Sequence, residues 1–195
     1  MRYSADHKQK TRERVLKEAA REMRAQGPRQ IAVAGVMARA GLTQGGFYAH
    51  FASKDDLVAS TIDHMQGEGA ERWRSITEGL EPRAGLSAYL DFYLSAAHRD
   101  SRDSGCLLPF LASDLPRLRD DARARFAAGA ARMRARLAGK LAEIGVTEAE
   151  AEASSMLSEM VGALSLARAE PDPSAADAIL ERSKAALKRR FGLTS

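Results

Sequence analysis

Five side chains suited to phosphate oxygens or base edges fall between positions 43 and 54: Thr43, Gln44, Tyr48, His50 and Lys54. No acidic residue interrupts them. Phe47 and Phe51 stand four apart, on one face of a helix, which directs the polar residues elsewhere. A helical pattern from Ile31 to Ala40 precedes the stretch. Gly41, with no Cβ, suits the sharp corner between two helices packed at a steep angle. Thr43 is placed to cap the second helix through its hydroxyl. Ser53 and Asp56 form a capping box that opens a third. Helix, tight turn and short polar helix is the pattern of a DNA-reading helix-turn-helix. Gly45-Gly46 departs from good helix chemistry by about 1 kcal/mol per glycine. Two explanations compete: close backbone approach to a groove, or a helix that firms up only on binding.

The other reactive group is Cys106, within Ser104-Gly105-Cys106-Leu107-Leu108-Pro109-Phe110. If Asp103 or Ser104 caps a helix here, Cys106 lies in its first turn, where unpaired amides stabilise a thiolate. The alternative is a small hydrophobe in a packed wall, a common role for free cysteine. As the sole cysteine it excludes an intrachain disulfide. Enzymatic chemistry has little behind it. His7, His50, His64 and His98 are not spaced to chelate a metal from one helical turn. No Ser/His/Asp constellation or phosphate-cradling loop is present, so neither catalysis nor a metal or cofactor is expected.

Charge is unevenly distributed. Residues 1–54 carry eleven Lys/Arg against four Asp/Glu, a net +7, so in a chain of total charge +4 the remainder sums to −3. A basic block beside a helix-turn-helix fits a duplex-binding head, because phosphate neutralisation supplies most non-specific affinity. A length of 195 residues with 45% hydrophobic content leaves room for one large or two small domains. No apolar run approaches the roughly 20 residues of a membrane span. The N-terminus lacks a signal-peptide stretch, and a cytoplasmic protein is expected.

The elements that must position these groups read as helices nearly throughout, an all-α fold. Residues 1–7 read as a loose arm, followed by a helix from about Lys8 to Gln26 that ends at Gly27-Pro28. A helix from Asp55 to about Gln66 turns Leu57, Val58, Ile62 and Met65 inward. Gly67 and Gly69 suggest a break before a short piece with Trp73 and Ile76, and Gly79 to Gly85 reads as a loop. From Leu86 a helix apolar over most of its girth carries Tyr89, Phe92 and Tyr93, as plain core or as the wall of a ligand cavity. Phe110 and Phe126 are further candidates for that wall, with Cys106. His98 reads as an exposed residue at a helix C-terminus. A long helix from Arg117 to about Ile144 shows an arginine-rich solvated face, and Thr147 with Glu150 makes a capping box for the next. The last two helices, about 148–169 and 174–191, form an antiparallel pair with a surplus apolar face, which usually means a partner.

Ala40-Gly41-Leu42-Thr43, Phe47-Tyr48-x-His50-Phe51 and Ser53-Lys54-x-x-Leu57 together resemble the signature of the tetracycline-repressor (TetR) family of bacterial transcriptional regulators, over about residues 10 to 58. The resemblance implies a three-helix DNA-binding domain over residues 1–54 and a helical regulatory and dimerisation domain over 55–195. It implies contacts to double-stranded DNA from Thr43, Gln44, Gly45, Tyr48 and His50, and phosphate contacts from Arg29 and Lys54. By residue type alone Arg29 could equally be a solvated loop residue, Tyr48 a packing residue, and His50 a cap. Lys54 opens a helix, where the dipole disfavours a cation, so an external anion makes better sense of it. The resemblance further implies a repressor that reads a palindromic operator as a homodimer. Its last two helices, with Met156, Met160, Leu164, Ile179 and Leu187, would meet their copies. An unknown small hydrophobic effector would release it. The Gly-Cys pair also resembles a subgroup of the family, some of whose repressors sense oxidants or electrophiles, an alternative switch at Cys106.

Overall fold

The computed structural model describes residues 5–101 and 104–193, and among them nine α-helices, three short 3₁₀ segments and no strand. Helix α1 (Ala5–Gln26) buries Val15, Leu16, Ala19, Ala20 and Met23 on one stripe. That stripe packs on Ile31, Val36, Phe47 and Phe51, the core of the head. The helix begins earlier than the predicted arm allows. Asp6 in its first turn complements the helix dipole and pairs with Lys10 at 2.9 Å. The rest of that arm, residues 1–4, lies outside the described residues. Helix α2 (Val33–Arg39) is docked by a buried acid: Glu22 accepts from the Ala32 amide at 2.7 Å and pairs with Arg39.

After Gly41, at φ 71°, the chain turns into Gln44–Ala49. This segment is 3₁₀ rather than α, with Gly46 N–H bonded to the Thr43 carbonyl at 3.1 Å. Two glycines in six residues weaken the preference for the longer α-helical bond. Thr43 holds the N-cap position, but its hydroxyl makes no cap bond, contrary to expectation. Ser53 does cap the next helix: its hydroxyl accepts from the Asp56 amide at 3.1 Å. Asp56 reaches back to the Ala52 amide at 2.9 Å.

Helix α3 (Lys54–Thr77) runs unbroken through Gly67 and Gly69, where a break was expected. About 1 kcal/mol per glycine is outweighed by packing on both sides. Leu57, Val58, Ile62 and Met65 bury into the head core, while Trp73 buries into the body core. The two cores therefore do not part at residue 54; α3 belongs to both.

The body comprises α4 (Pro82–Tyr93), α5 (Ala96–Asp100), α6 (Leu108–Leu111), α7 (Asp120–Glu143), α8 (Ala149–Ala169) and α9 (Pro173–Arg190). Helix α4 starts inside the predicted loop, because Pro82 lies in its first turn, where a missing N–H costs nothing. Glu148 precedes α8 in a left-handed conformation (φ 55°) and makes no side-chain cap bond, so the Thr147–Glu150 box does not form. Met156, Met160, Leu164 and Leu187, expected at an interface with a second copy, are wholly buried in the protomer's own core with Leu86, Leu90 and Leu137. That core needs one full apolar face from each helix of the final pair, which leaves Ile179 half-buried at its edge. Among the described residues no helix is long and apolar enough to cross a membrane.

Candidate functional site

The head presents a bare polar row. Thr43, Gln44 and Gly45 are exposed, and Tyr48 is 78% exposed while its ring meets buried Phe47 edge-on at 5.2 Å. Phe47 and Phe51 stack at 5.6 Å beneath it, so the aromatic pair fixes which side of the segment faces outward. Lys54 Nζ donates to the Arg29 carbonyl at 3.0 Å, which brings these two predicted phosphate contacts side by side. His50 sits at the margin, half-buried, with its Nδ1 enclosed and without a partner. Burial, then the charges of Lys8 and Arg12, lower its pKa. Helix α1 thus brings cations to this end of the row. Arg12 also lies over the Phe51 ring at 4.8 Å and donates to Ser60 at 2.8 Å. Lys8, Arg14, Lys17, Arg29 and Lys54 are exposed. None of them has a carboxylate partner among the described residues, in contrast to Lys10, Arg21 and Arg39.

The body encloses a cavity of about 720 Å³ of empty space, its open mouth included. Tyr89, Phe92, Tyr93 and Cys106 stand on its wall, brought together from α4 and the loop before α6. Phe110 and Phe126 do not: Phe110 packs on the head core, and Phe126 bridges the two cores. Met65, Gln66 and Arg72 of α3 and Met133 and Arg136 of α7 complete much of the lining.

His98 organises the inner end. Expected at the surface, it is 5% exposed. Ser95, two residues past the end of α4, caps α5, accepting from the His98 amide at 3.1 Å, and this turn swings the imidazole inward. The ring stacks on Phe92 and meets Tyr93 edge-on, both at 4.9 Å. Its Nδ1 lies 2.8 Å from the Tyr93 carbonyl, and its Nε2 accepts from the Cys106 amide at 3.2 Å. That pairing requires a neutral ring protonated at Nδ1. Burial accordingly pulls its pKa down to about 4, against the opposing effect of the Tyr93 carbonyl. Cys106 lies outside any helix, two residues before α6, whose first residue, Leu108, donates its amide to the sulfur. Asp103, one candidate cap, lies outside the described residues, and Ser104 is in a turn. Burial raises the thiol's pKa, and hydrogen bonds from Tyr93 and the backbone only partly oppose it. The Tyr93 hydroxyl is buried beside the thiol, with no oxygen or nitrogen partner among the described residues.

A residue of α1 also reaches this cavity. Arg24, near the end of α1, donates to the Gly105 carbonyl at 3.1 Å and pairs with Glu68 on α3. Its side chain is 4% exposed. Burial alone would raise the Glu68 pKa; His64, at 3.5 Å, and Arg24 together lower it to about 2. Sequence reasoning missed Arg24, Gln66, Glu68, Arg72, Arg136 and His98 as wall residues, since each sits in an ordinary helical pattern. Two glycines were the available signals. A Cβ at Gly105 would come within 2.7 Å of the Ser101 carbonyl, and a Cβ at Gly129 would occupy the space taken by the Gln66 side chain. Among the described residues there is no cluster of His, Cys, Asp and Glu able to hold a metal ion.

Residues 15–61 match the profile of the bacterial regulatory proteins, tetR family. A comparison with curated protein sequences gives no match. Among solved structures, E. coli NemR in its reduced form is similar at a TM-score of 0.82 and 21% identity, over 92% of this chain and 96% of that one. A TetR transcriptional regulator from Chloroflexus aurantiacus J-10-FL is similar at 0.79 and 25% identity, over 96% of each chain. One from Legionella pneumophila is similar at 0.78 and 20% identity, over 97% of this chain and 99% of that one.

Proposed function

We propose, for a chain that belongs by its amino-terminal head and its fold to the tetR family of bacterial regulatory proteins, a repressor that binds a palindromic operator as a homodimer and lets go when a small molecule enters the body cavity. The observation that carries this reading is the double membership of α3. One end of that helix holds the head core, and Met65, Gln66 and Arg72 further along it line the cavity. A ligand that fits only one tilt of α3 would bind two head spacings unequally, the condition for any shift between them. Arg24 adds a second route, since an occupant that moves Gly105 also moves the end of α1. Two heads of a dimer would read half-sites about one helical turn apart.

For the dimer, the outward face of α8 and α9 takes the place of the buried methionines. It offers Ser158, Gly162 and Ser165 with Leu166, 64% exposed, beside Ala178 and Ile179. Small residues let a second copy approach closely, and Leu166 supplies the apolar anchor. Equilibrium sedimentation of Leu166→Arg tests this: a dimer as stable as the parent would refute it.

DNA binding is tested by fluorescence anisotropy on the protein's own promoter across a salt series. Affinity should fall steeply with salt, and Tyr48→Phe with Lys54→Ala should weaken it at least tenfold, on the order of two lost phosphate contacts. Unchanged affinity would overturn the reading. A second reading, switching by oxidants or electrophiles at Cys106, is supported by the thiol's place on the cavity wall. The likeness to a NemR structure described as a reduced form adds to it. The raised thiol pKa works against it. Release of DNA by an electrophile from the parent but not from Cys106→Ser would favour this second reading.

A further inference from the structure

We propose that the cavity takes a small aromatic carboxylate, its anionic end held by Arg72 and Arg136 and its ring laid against Tyr89 and Phe92. The inference rests on the cavity's being the effector site and names the chemistry of the effector.

Charge comes first. Among the described residues, four groups ionised at neutral pH line the cavity: Arg24, Glu68, Arg72 and Arg136. Glu68 is already matched by Arg24, which leaves two positive charges. Neither Arg72 nor Arg136 has a carboxylate partner among the described residues, whereas Arg99, Arg123, Arg125 and Arg190 of the body do. Arg72 is exposed and Arg136 half-buried, so water can serve both guanidiniums, and a ligand carboxylate would replace that water and supply the balancing charge through paired N–H donors.

Shape and polarity come second. The wall between these arginines and His98 is aromatic: Tyr89 and Phe92 have ring centroids 6.1 Å apart, and Trp73 backs Tyr89 at 4.5 Å. Arg72 already lies over the Phe92 ring at 5.3 Å, so its guanidinium is held where a carboxylate beside that ring would meet it. The buried, conventionally unpartnered Tyr93 hydroxyl offers one hydrogen bond further in, for a ring substituent that can accept it. A cation would be repelled, and a neutral isostere would leave both guanidiniums without an anion.

Isothermal titration calorimetry on the full chain, with 2-naphthoate, 2-naphthamide and 2-naphthylmethylammonium as probes, tests the inference. The acid should bind at least about tenfold tighter than the amide, the value of a charge-assisted over a neutral contact, and the ammonium should not bind. Arg72→Gln with Arg136→Gln should erase the preference for the acid while the amide binds as before. Both positions are clear of the buried cores, and an unchanged melting curve verifies the fold. Equal binding of acid and amide, binding of the ammonium, no binding of the acid, or a preference that survives the double substitution would each overturn it. Naphthoate that binds with this pattern yet leaves promoter DNA bound would uphold the carboxylate site and refute its role in release.

Discussion

The head and the body hold their chemistry in opposite ways. In the head the polar groups sit within a dozen residues of one another along the chain and point outward over a small aromatic base. In the body they come from α1, α3, α4, α5, α7 and a loop, and they point inward. An outward face can stay bare, because water satisfies it until a polymer arrives. An enclosed cavity must satisfy its own polar groups, as His98 does between the Tyr93 carbonyl and the Cys106 amide. Its few exceptions, such as the Tyr93 hydroxyl, are therefore informative.

Whether the contrast is also a mechanical boundary can be tested directly. Phe51→Ala in the head and Leu90→Ala in the body should each cost about 2–5 kcal/mol, since both residues are fully buried. Because α3 spans both cores, calorimetry should show each substitution lowering one shared transition. Two transitions, each moved by only one substitution, would divide the molecule at α3.

The next largest effect is confined to the body. The folded-state pKa of His98, about 4, lies below its ordinary 6.5. The neutral ring thus contributes stability that is complete above about pH 6.5 and is lost as the pH falls through about 4. The full loss is on the order of 3 kcal/mol. Chemical denaturation at several pH values should show this slope, and His98→Gln should flatten it. The Arg24–Glu68 pair follows the same sign over a lower window. Its contribution is full above about pH 4.5 and fades as the pH falls through about 2, and Glu68→Gln should remove that fading.

Smaller effects probe the head. Lys54→Ala should weaken binding about uniformly across DNA sequences and reduce the salt slope by about 1. Anisotropy at several salt concentrations measures both, and an unchanged slope would take Lys54 off the phosphates. The smallest stability change is expected at Gly45, where an added Cβ would meet nothing within 4 Å. Gly45→Ala should leave the head as stable or stabilise it by less than about 1 kcal/mol, yet weaken DNA binding if the backbone must approach a groove. Tighter binding would instead favour a segment that firms up on DNA.

Much of the head was legible because its determinants are local. The corner at Gly41, the Ser53 cap and the shared face of Phe47 and Phe51 each depend on residues within four positions. Thr43 failed as a cap because the segment it begins is a 3₁₀ turn rather than α-helix. The body was less legible because its helices decide one another. Gly67 and Gly69 read as a break, but neighbours on α1 and α7 hold α3 straight through them, as the bonds of Arg24 to Glu68 and of Gln66 to the Arg125 carbonyl show. Met156, Met160 and Leu164 are apolar whether they face a partner copy or their own core, and periodicity cannot separate the two.

From the order of residues alone came the all-helical class, the basic amino-terminal third and the outward polar row of the head, since propensity, charge and i to i+4 spacing act over short distances. Only the folded molecule decided which aromatic rings meet, that His98 turns inward, that Arg24 ties the head to the cavity and that Arg72 and Arg136 have no acid partner among the described residues. Those outcomes depend on side chains brought together from positions tens of residues apart, and no local pattern records which of them will become neighbours.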